Sequence, residues 1–346
     1  MLEKLIGNTP MIKIKCKYKG EEGKGIEKEI NVYVKLEYYN LTGSIKDRVV
    51  FYIIDKARKE GKLKDKMKLV EATSGNTGIS LASIGAYYNY PVHIFMPDFV
   101  SYERVQLMKS YGAEVELISK KDGGFIKCVE LAKKYAKENN AYLVNQFSNI
   151  DNCKAHYETT GKEIIRDLEK IEKNQKENIS ERIGCFISGV GTGGTLMGIG
   201  SRLKEKYKDI KIVALEPDKM PIISEEKYGK EKLIEKENKS KKEQHKIEGI
   251  GDDFVPDLLN IEKIDDIILI NDDDAIKMAK KVARELGIGV GISSGANLLG
   301  AIRLGYKLNK DIITVFADDN KKYLSTELGN ENFGSGSGAI FSHFVK

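Results

Sequence analysis

Short runs of apolar, often β-branched residues alternate along nearly the whole chain with longer stretches whose apolar positions recur every three to four residues. The first kind predicts strands at Val32–Glu37, Met67–Ala72, Pro91–Pro97, Glu114–Ser119 and Ala141–Phe147. Further strands are predicted at Arg182–Ser188, Ile210–Glu216, Ile267–Ile270 and Asp311–Phe316. The second kind predicts helices over Asp47–Lys59, Ile79–Tyr90, Tyr102–Tyr111, Phe125–Asn139 and His156–Ile171, one ending near Lys208, and one at Asp272–Leu286. Strands alternating with helices imply an α/β architecture of twisted, mostly parallel sheets flanked by helices. Asp272-Asp-Asp-Ala places three carboxylates in a first helical turn, where the dipole favours them.

With 346 residues the chain can form two domains, each with its own core. The 57 basic residues against 52 acidic ones are interleaved, which does not make a nucleic-acid footprint. The Lys/Glu-dense stretches 169–180 and 225–246 read as solvated insertions, and 331–346 as a tail containing a flexible Gly/Ser segment. Cys16, Cys128, Cys153 and Cys185 lie far apart, so neither a disulfide framework nor a metal site is expected. Met1-Leu-Glu-Lys-Leu-Ile-Gly7 lacks a signal-peptide pattern and no apolar run is long enough to span a membrane, so a cytoplasmic protein is expected.

The polar loops between strands and helices carry the chemistry. Lys46, in Thr42-Gly-Ser-Ile-Lys-Asp-Arg48, opens a helix, where the dipole disfavours a permanent ammonium but suits a lysine held neutral as an imine. Gly189-Val-Gly-Thr-Gly-Gly-Thr195 offers backbone N–H groups and two hydroxyls at a helix start, a cradle for one phosphate. The same stretch matches G-x-G-x-x-G, with Glu216 as a candidate ribose acid, but a dinucleotide would leave Lys46 without a task. Thr73-Ser-Gly-Asn-Thr77 carries more polar groups than a helix cap needs and suits a small carboxylate. An imine lysine, a phosphate cradle and a carboxylate cradle together describe pyridoxal phosphate with an amino acid.

Those segments occur in order with Ile6-Gly-Asn-Thr-Pro10, Gln146-Phe-Ser-Asn149, His156-Tyr-Glu-Thr-Thr160, Gly249-Ile-Gly251, Gly291-Ile-Ser-Ser-Gly295 and Tyr323-Leu-Ser-Thr326. From about Ile6 to Ser325 the chain resembles the cysteine synthase and cystathionine β-synthase family of fold-type II pyridoxal-phosphate enzymes. The resemblance implies that Lys46 holds the cofactor, Asn76 meets its ring hydroxyl, and Gly191, Thr192, Gly193, Gly194 and Thr195 bind its phosphate. It further implies that Thr73, Ser74, Thr77 and Gln146 take the substrate carboxylate, with Gly249 near the amino group. It implies a smaller, mobile domain at 47–150, a larger one from 1–46 with 151–330, and a homodimer.

Two departures bear on the reaction. Asp252 and Asp253 stand where sulfide-using synthases carry small residues, and Asp319 falls where a serine usually meets the pyridine nitrogen. Neither a regulatory module after residue 346 nor a haem-binding extension is expected. Asp253 is assigned as the base that activates water; Asp252 reads either as a solvated loop charge or as the carboxylate that faces substrate. Asp318 is the neighbouring candidate for the ring nitrogen. The expected reaction is L-cysteine plus water to L-serine plus hydrogen sulfide. Its alternatives are cysteine synthesis from O-acetyl-L-serine and sulfide, then cystathionine or lanthionine formation, or a catalytically silent binding protein.

Overall fold

The computed structural model describes residues 1–20, 25–175, 178–230, 244–330 and 342–345. The Gly/Ser segment of the tail and most of the 225–246 insertion lie outside them. Two sheets organise the chain. Among the described residues the larger has seven strands, in the order Ser342–Val345, Met11–Tyr18, Lys28–Leu36, Asp311–Phe316, Ile183–Gly189, Lys211–Pro217 and Asp266–Ile270, and the smaller has four, in the order Glu114–Ile118, Val92–Pro97, Leu69–Ala72 and Tyr142–Leu143.

The large sheet begins with β1 (Met11–Tyr18) and β2 (Lys28–Leu36), an antiparallel pair. In β1 Ile14, Cys16 and Tyr18 are buried while Lys15 and Lys17 are exposed, the alternation of a strand with one wet face. In β2 every residue from Ile30 to Leu36 is buried, because helices cover both faces where the sheet turns parallel.

The small sheet follows: β3 (Leu69–Ala72), β4 (Val92–Pro97), β5 (Glu114–Ile118) and β6 (Tyr142–Leu143), all parallel. Its helices are α1 (Lys46–Lys59), α2 (Asn76–Tyr87), α3 (Tyr102–Ser110) and α4 (Gly124–Glu138). The chain returns through α5 (Asp151–Ala155), a π turn (His156–Thr160), α6 (Gly161–Gln175) and α7 (Ile179–Arg182). Then come β7 (Ile183–Gly189), α8 (Gly194–Lys206), β8 (Lys211–Pro217), α9 (Ile222–Tyr228) and β9 (Asp266–Ile270). The series ends with α10 (Asp272–Leu286), α11 (Ile292–Leu308), β10 (Asp311–Phe316) and the edge strand β11 (Ser342–Val345).

The α/β architecture expected from the alternation is therefore present, with three differences of detail. The expected strand 141–147 is ladder-paired only at Tyr142 and Leu143. Beyond it the Gln146 N–H turns to the Glu71 carboxylate, at 3.0 Å, and away from a strand partner. Leu2, Ile6 and Leu41 pack into the core under the small sheet, whereas Met11–Tyr18 and Lys28–Leu36 are strands of the large one, so the N-terminal segment is shared between the units. The end of the tail also joins the fold, since residues 342–345 pair antiparallel with β1.

A buried ion cluster fixes α1 beside the N-terminal loop. Arg48 donates to Glu37 (Nε–Oε2 2.5 Å) and Glu163 (Nη1–Oε1 2.7 Å), and its Nη2 reaches the Thr9 hydroxyl at 3.1 Å. Removing the guanidinium would leave the buried Glu37 carboxylate without a cation, while Glu163 would keep Lys35, whose Nζ lies 3.1 Å away. Arg48→Ala is therefore expected to lose about 3–5 kcal/mol of stability, read from urea unfolding. A loss below about 1 kcal/mol, the level of an exposed pair, would contradict that role.

Candidate active site

Lys46 is the first residue of α1, at the junction of the two units, and its side chain lines a pocket between them. Burial lowers the pKa of its amine, opposed by the charges of Asp252 and Asp318. A buried amine that gives up its proton readily can serve as nucleophile and base.

The 73–77 loop forms one wall. Gly75 N donates to Thr73 Oγ1 (3.0 Å), Thr77 Oγ1 to Gln146 Oε1 (2.6 Å), and Gln146 Nε2 to the Ala72 carbonyl (2.8 Å). Thr73, Ser74, Thr77 and Gln146 all line the pocket. Arg104, buried on α3, lies so close to Gly75 that any side chain there would strike it. Arg104 also pairs with Glu248 and stacks over Tyr323, 4.6 Å from the ring centroid. Neither Arg104 nor Glu248 was legible as a site residue, because their partners are distant in sequence.

The 189–195 loop forms the opposite wall, with Gly191, Thr192, Gly193 and Thr195 lining the pocket and Gly194 starting α8 behind them. A Cβ on Gly191 would strike the Gly249 carbonyl, which explains a glycine where two loops meet. Glu216 has no part here. Its carboxylate is buried, accepts from Ile223 N and Ser224 N at 2.9 Å each, and so caps α9; burial raises its pKa to about 7. The ribose-acid alternative loses its acid.

Two sequence-based assignments move by one residue. Gly249 and Gly251 both adopt positive φ (91° and 72°), and the Gly251 N–H donates to the Val190 carbonyl at 2.9 Å. The chain that leaves this double reversal directs Asp252 into the pocket, while Asp253 is exposed and lines only the outer chamber. Phe254 then packs edge-on against Phe147, with ring centroids 5.1 Å apart, and anchors the loop. Burial raises the Asp252 pKa to about 6, helped by Asp253 and opposed by Lys46. The carboxylate beside Lys46 is thus Asp252 rather than Asp253.

Asp319 likewise faces away. It caps the 3-10 turn 320–323, accepting from Lys321 N at 3.2 Å, and does not line the pocket. Adjacent residues of an extended segment point to opposite sides, and the side chain on the other side is Asp318, which does not line the pocket itself but sits behind Asn76, which does. Fully buried, its Oδ2 accepts from Asn76 Nδ2 and from Tyr323 Oη, both at 2.7 Å. Ser293 and Asn297 also line the pocket. The only sequence signal for Ser293 was the polar segment 291–295.

The donor set fits pyridoxal phosphate. Asn76 lines the pocket, and its Oδ1 is buried without a hydrogen-bond partner among the described residues, a polar atom that a ligand or water would satisfy. The glycine-lined cradle, with the Thr192 and Thr195 hydroxyls, and Lys46 line the same pocket. An outer chamber of about 770 Å³ joins this pocket at Ser74, Gly249 and Asp252.

Among the described residues no helix is long and apolar enough to cross a membrane. Residues 2–318 match the family model of pyridoxal-phosphate-dependent enzymes. A cysteine synthase of Staphylococcus aureus is 38% identical over 329 residues, covering 94% of this chain and 96% of that protein. The crystal structure of a hydrogen sulfide-producing enzyme from Fusobacterium nucleatum is 44% identical, covers 100% of this chain and 96% of that one, and superposes with a TM-score of 0.85. A mutant of a hydrogen sulfide-producing enzyme, crystallised with an α-aminoacrylate intermediate, matches at 44% identity over 100% of this chain and 96% of that one, with a TM-score of 0.86. The chain belongs to the family of pyridoxal-phosphate-dependent enzymes that contains the cysteine synthases.

Proposed function

We propose that this enzyme converts L-cysteine and water into L-serine and hydrogen sulfide, with Asp252 as the general base for water. The observation that carries the reading is the Asp252 carboxylate lining the Lys46 pocket, with a pKa of about 6. Such a group is charged at neutral pH yet basic enough to accept a proton.

Bound pyridoxal phosphate supplies an electron sink that makes the α-proton of a β-substituted alanine labile and its β-carbon open to a nucleophile. Lys46 removes the α-proton. The C–S bond breaks and hydrosulfide leaves; water then adds to the β-carbon, passing one proton to Asp252, which releases it to solvent, from which the hydrosulfide takes up one proton to become hydrogen sulfide. Lys46 returns a proton to the α-carbon, so atoms balance as cysteine plus water giving serine plus hydrogen sulfide. Thr73, Ser74, Thr77 and Gln146 hold the substrate carboxylate. The Asp252 charge repels hydrosulfide and thereby works against the reverse addition.

The curated cysteine synthase relatives favour a second reading, synthesis of cysteine from O-acetyl-L-serine and sulfide. Incubation with cysteine alone separates the two. Serine and sulfide in equal amounts are expected, and sulfide without serine would overturn the proposal.

The same carboxylate sets a pH dependence. Asp252 must be deprotonated to accept a proton, so serine formation should be half-maximal near pH 6, nearly full about one unit above it, and fall about tenfold per pH unit well below it. A pH–rate profile lacking that acid limb would contradict the role of Asp252.

A further inference from the structure

Beneath the 191–195 loop, α5 and the π turn that continues it present two polar side chains four residues apart, Asn152 and His156, on one face. Both are essentially inaccessible, at 1% and 0% exposure. Helix α8 reaches them through glycines with the same spacing. A Cβ on Gly194 would overlap the Asn152 amide, and one on Gly198 would lie 2.7 Å from His156 Cβ.

The hydrogen bonds of Asn152 have only one chemical solution. Its Nδ2 lies 2.9 Å from the Gln146 carbonyl oxygen and 2.9 Å from Thr192 Oγ1. A carbonyl can only accept, so the amide nitrogen faces both partners and the Thr192 oxygen receives one of its protons. Gly194 N–H also points at Thr192 Oγ1, at 3.4 Å. The Thr192 oxygen is thus approached by two donors from below, and its own proton remains for the pocket side.

His156 repeats the arrangement. Nδ1 is 3.0 Å from Thr160 Oγ1 and Nε2 is 3.3 Å from Thr195 Oγ1. Burial, with the charges of Lys46 and Arg48, keeps the ring neutral, so one nitrogen donates and the other accepts. A phosphate only accepts, so a Thr195 hydroxyl that serves it must donate to it and receive from the histidine.

We propose that Asn152 and His156 are positioning residues that force both threonine hydroxyls to donate toward the cofactor phosphate. His156 is fixed as the Nε2–H tautomer by a Thr160 hydroxyl that donates to Nδ1. The relay Thr160 O–H to Nδ1, Nε2–H to Thr195, and Thr195 O–H to phosphate removes the choice of direction before the ligand arrives. The π turn that spans His156–Thr160 contains both ends of its first link.

Two measurements test this. In the wild-type holoenzyme, nitrogen NMR of the four histidines should give His156 a protonated Nε2 and a bare Nδ1; the reverse tautomer, or a charged ring, would overturn the proposal. In the cofactor-stripped full chain, Asn152→Ala and His156→Leu should each weaken pyridoxal phosphate binding on the order of tenfold. Binding of pyridoxal, which lacks the phosphate, should not change, and His156→Gln, whose amide can still donate, should restore most of the loss. Parallel weakening for pyridoxal would show a packing role alone and reject the relay.

Discussion

Lys46→Ala protein is expected to lose both the visible absorbance of bound pyridoxal phosphate and all measurable turnover. Three features converge on this residue: its place at the first turn of α1, a pKa lowered by burial, and the two loops that face it across the pocket. Loss of proton transfer alone would cost about 10²–10⁴-fold in rate. Loss of the covalent hold on the cofactor adds to that cost. Lys46→Arg should fail as completely, because a guanidinium cannot be deprotonated in a protein. The fold should survive in both variants, since the buried ion cluster of Arg48 and the apolar face of α1 do not involve the Lys46 amine. Wild-type absorbance with wild-type turnover in Lys46→Ala would remove the lysine from the mechanism.

The second large effect belongs to Asp252. Water is a weak nucleophile at neutral pH, so its addition needs a base, whereas addition of hydrosulfide does not. Asp252→Asn keeps the size of the side chain but removes the base, and serine formation should fall about 10²–10⁴-fold. Asp253→Asn is the matched control. That side chain is exposed and lines only the outer chamber, so its loss should change the rate by well under tenfold. Equal losses in the two variants would mean that the loop as a whole matters and the Asp252 carboxylate does not act alone.

The contrast between these aspartates marks where the sequence was legible. Elements with a sustained period were readable to the residue, as at 272–286 and 311–316, because burial of one helix face or of a whole strand leaves a direct trace. Loops that carry several polar groups at a strand-to-helix junction were readable as cradles, and the 73–77 and 189–195 loops do meet across one pocket. Neighbouring carboxylates were not separable. Whether Asp252 or Asp253 turns inward depends on two left-handed glycines, and Asp318 and Asp319 part because adjacent residues of one extended segment point to opposite sides. The undersides of the loops were also hidden. His156 was visible only within a motif, while its partner Thr195 lies 39 residues away, and Asn152 meets Thr192 at 40 residues. The early end of β6 has the same kind of cause, a Glu71 carboxylate that captures the Gln146 N–H across 75 residues.

Rapid-quench analysis of a single turnover of Asp252→Asn with L-cysteine tests the central claim most directly, because it separates sulfide release from water addition. Release of sulfide depends on Lys46 and should proceed as in wild type, giving one equivalent of sulfide per active site. Serine should not appear with it on that timescale. Serine formed together with the sulfide, at the wild-type rate, would contradict the assignment of Asp252 as the base and with it the proposed reaction path.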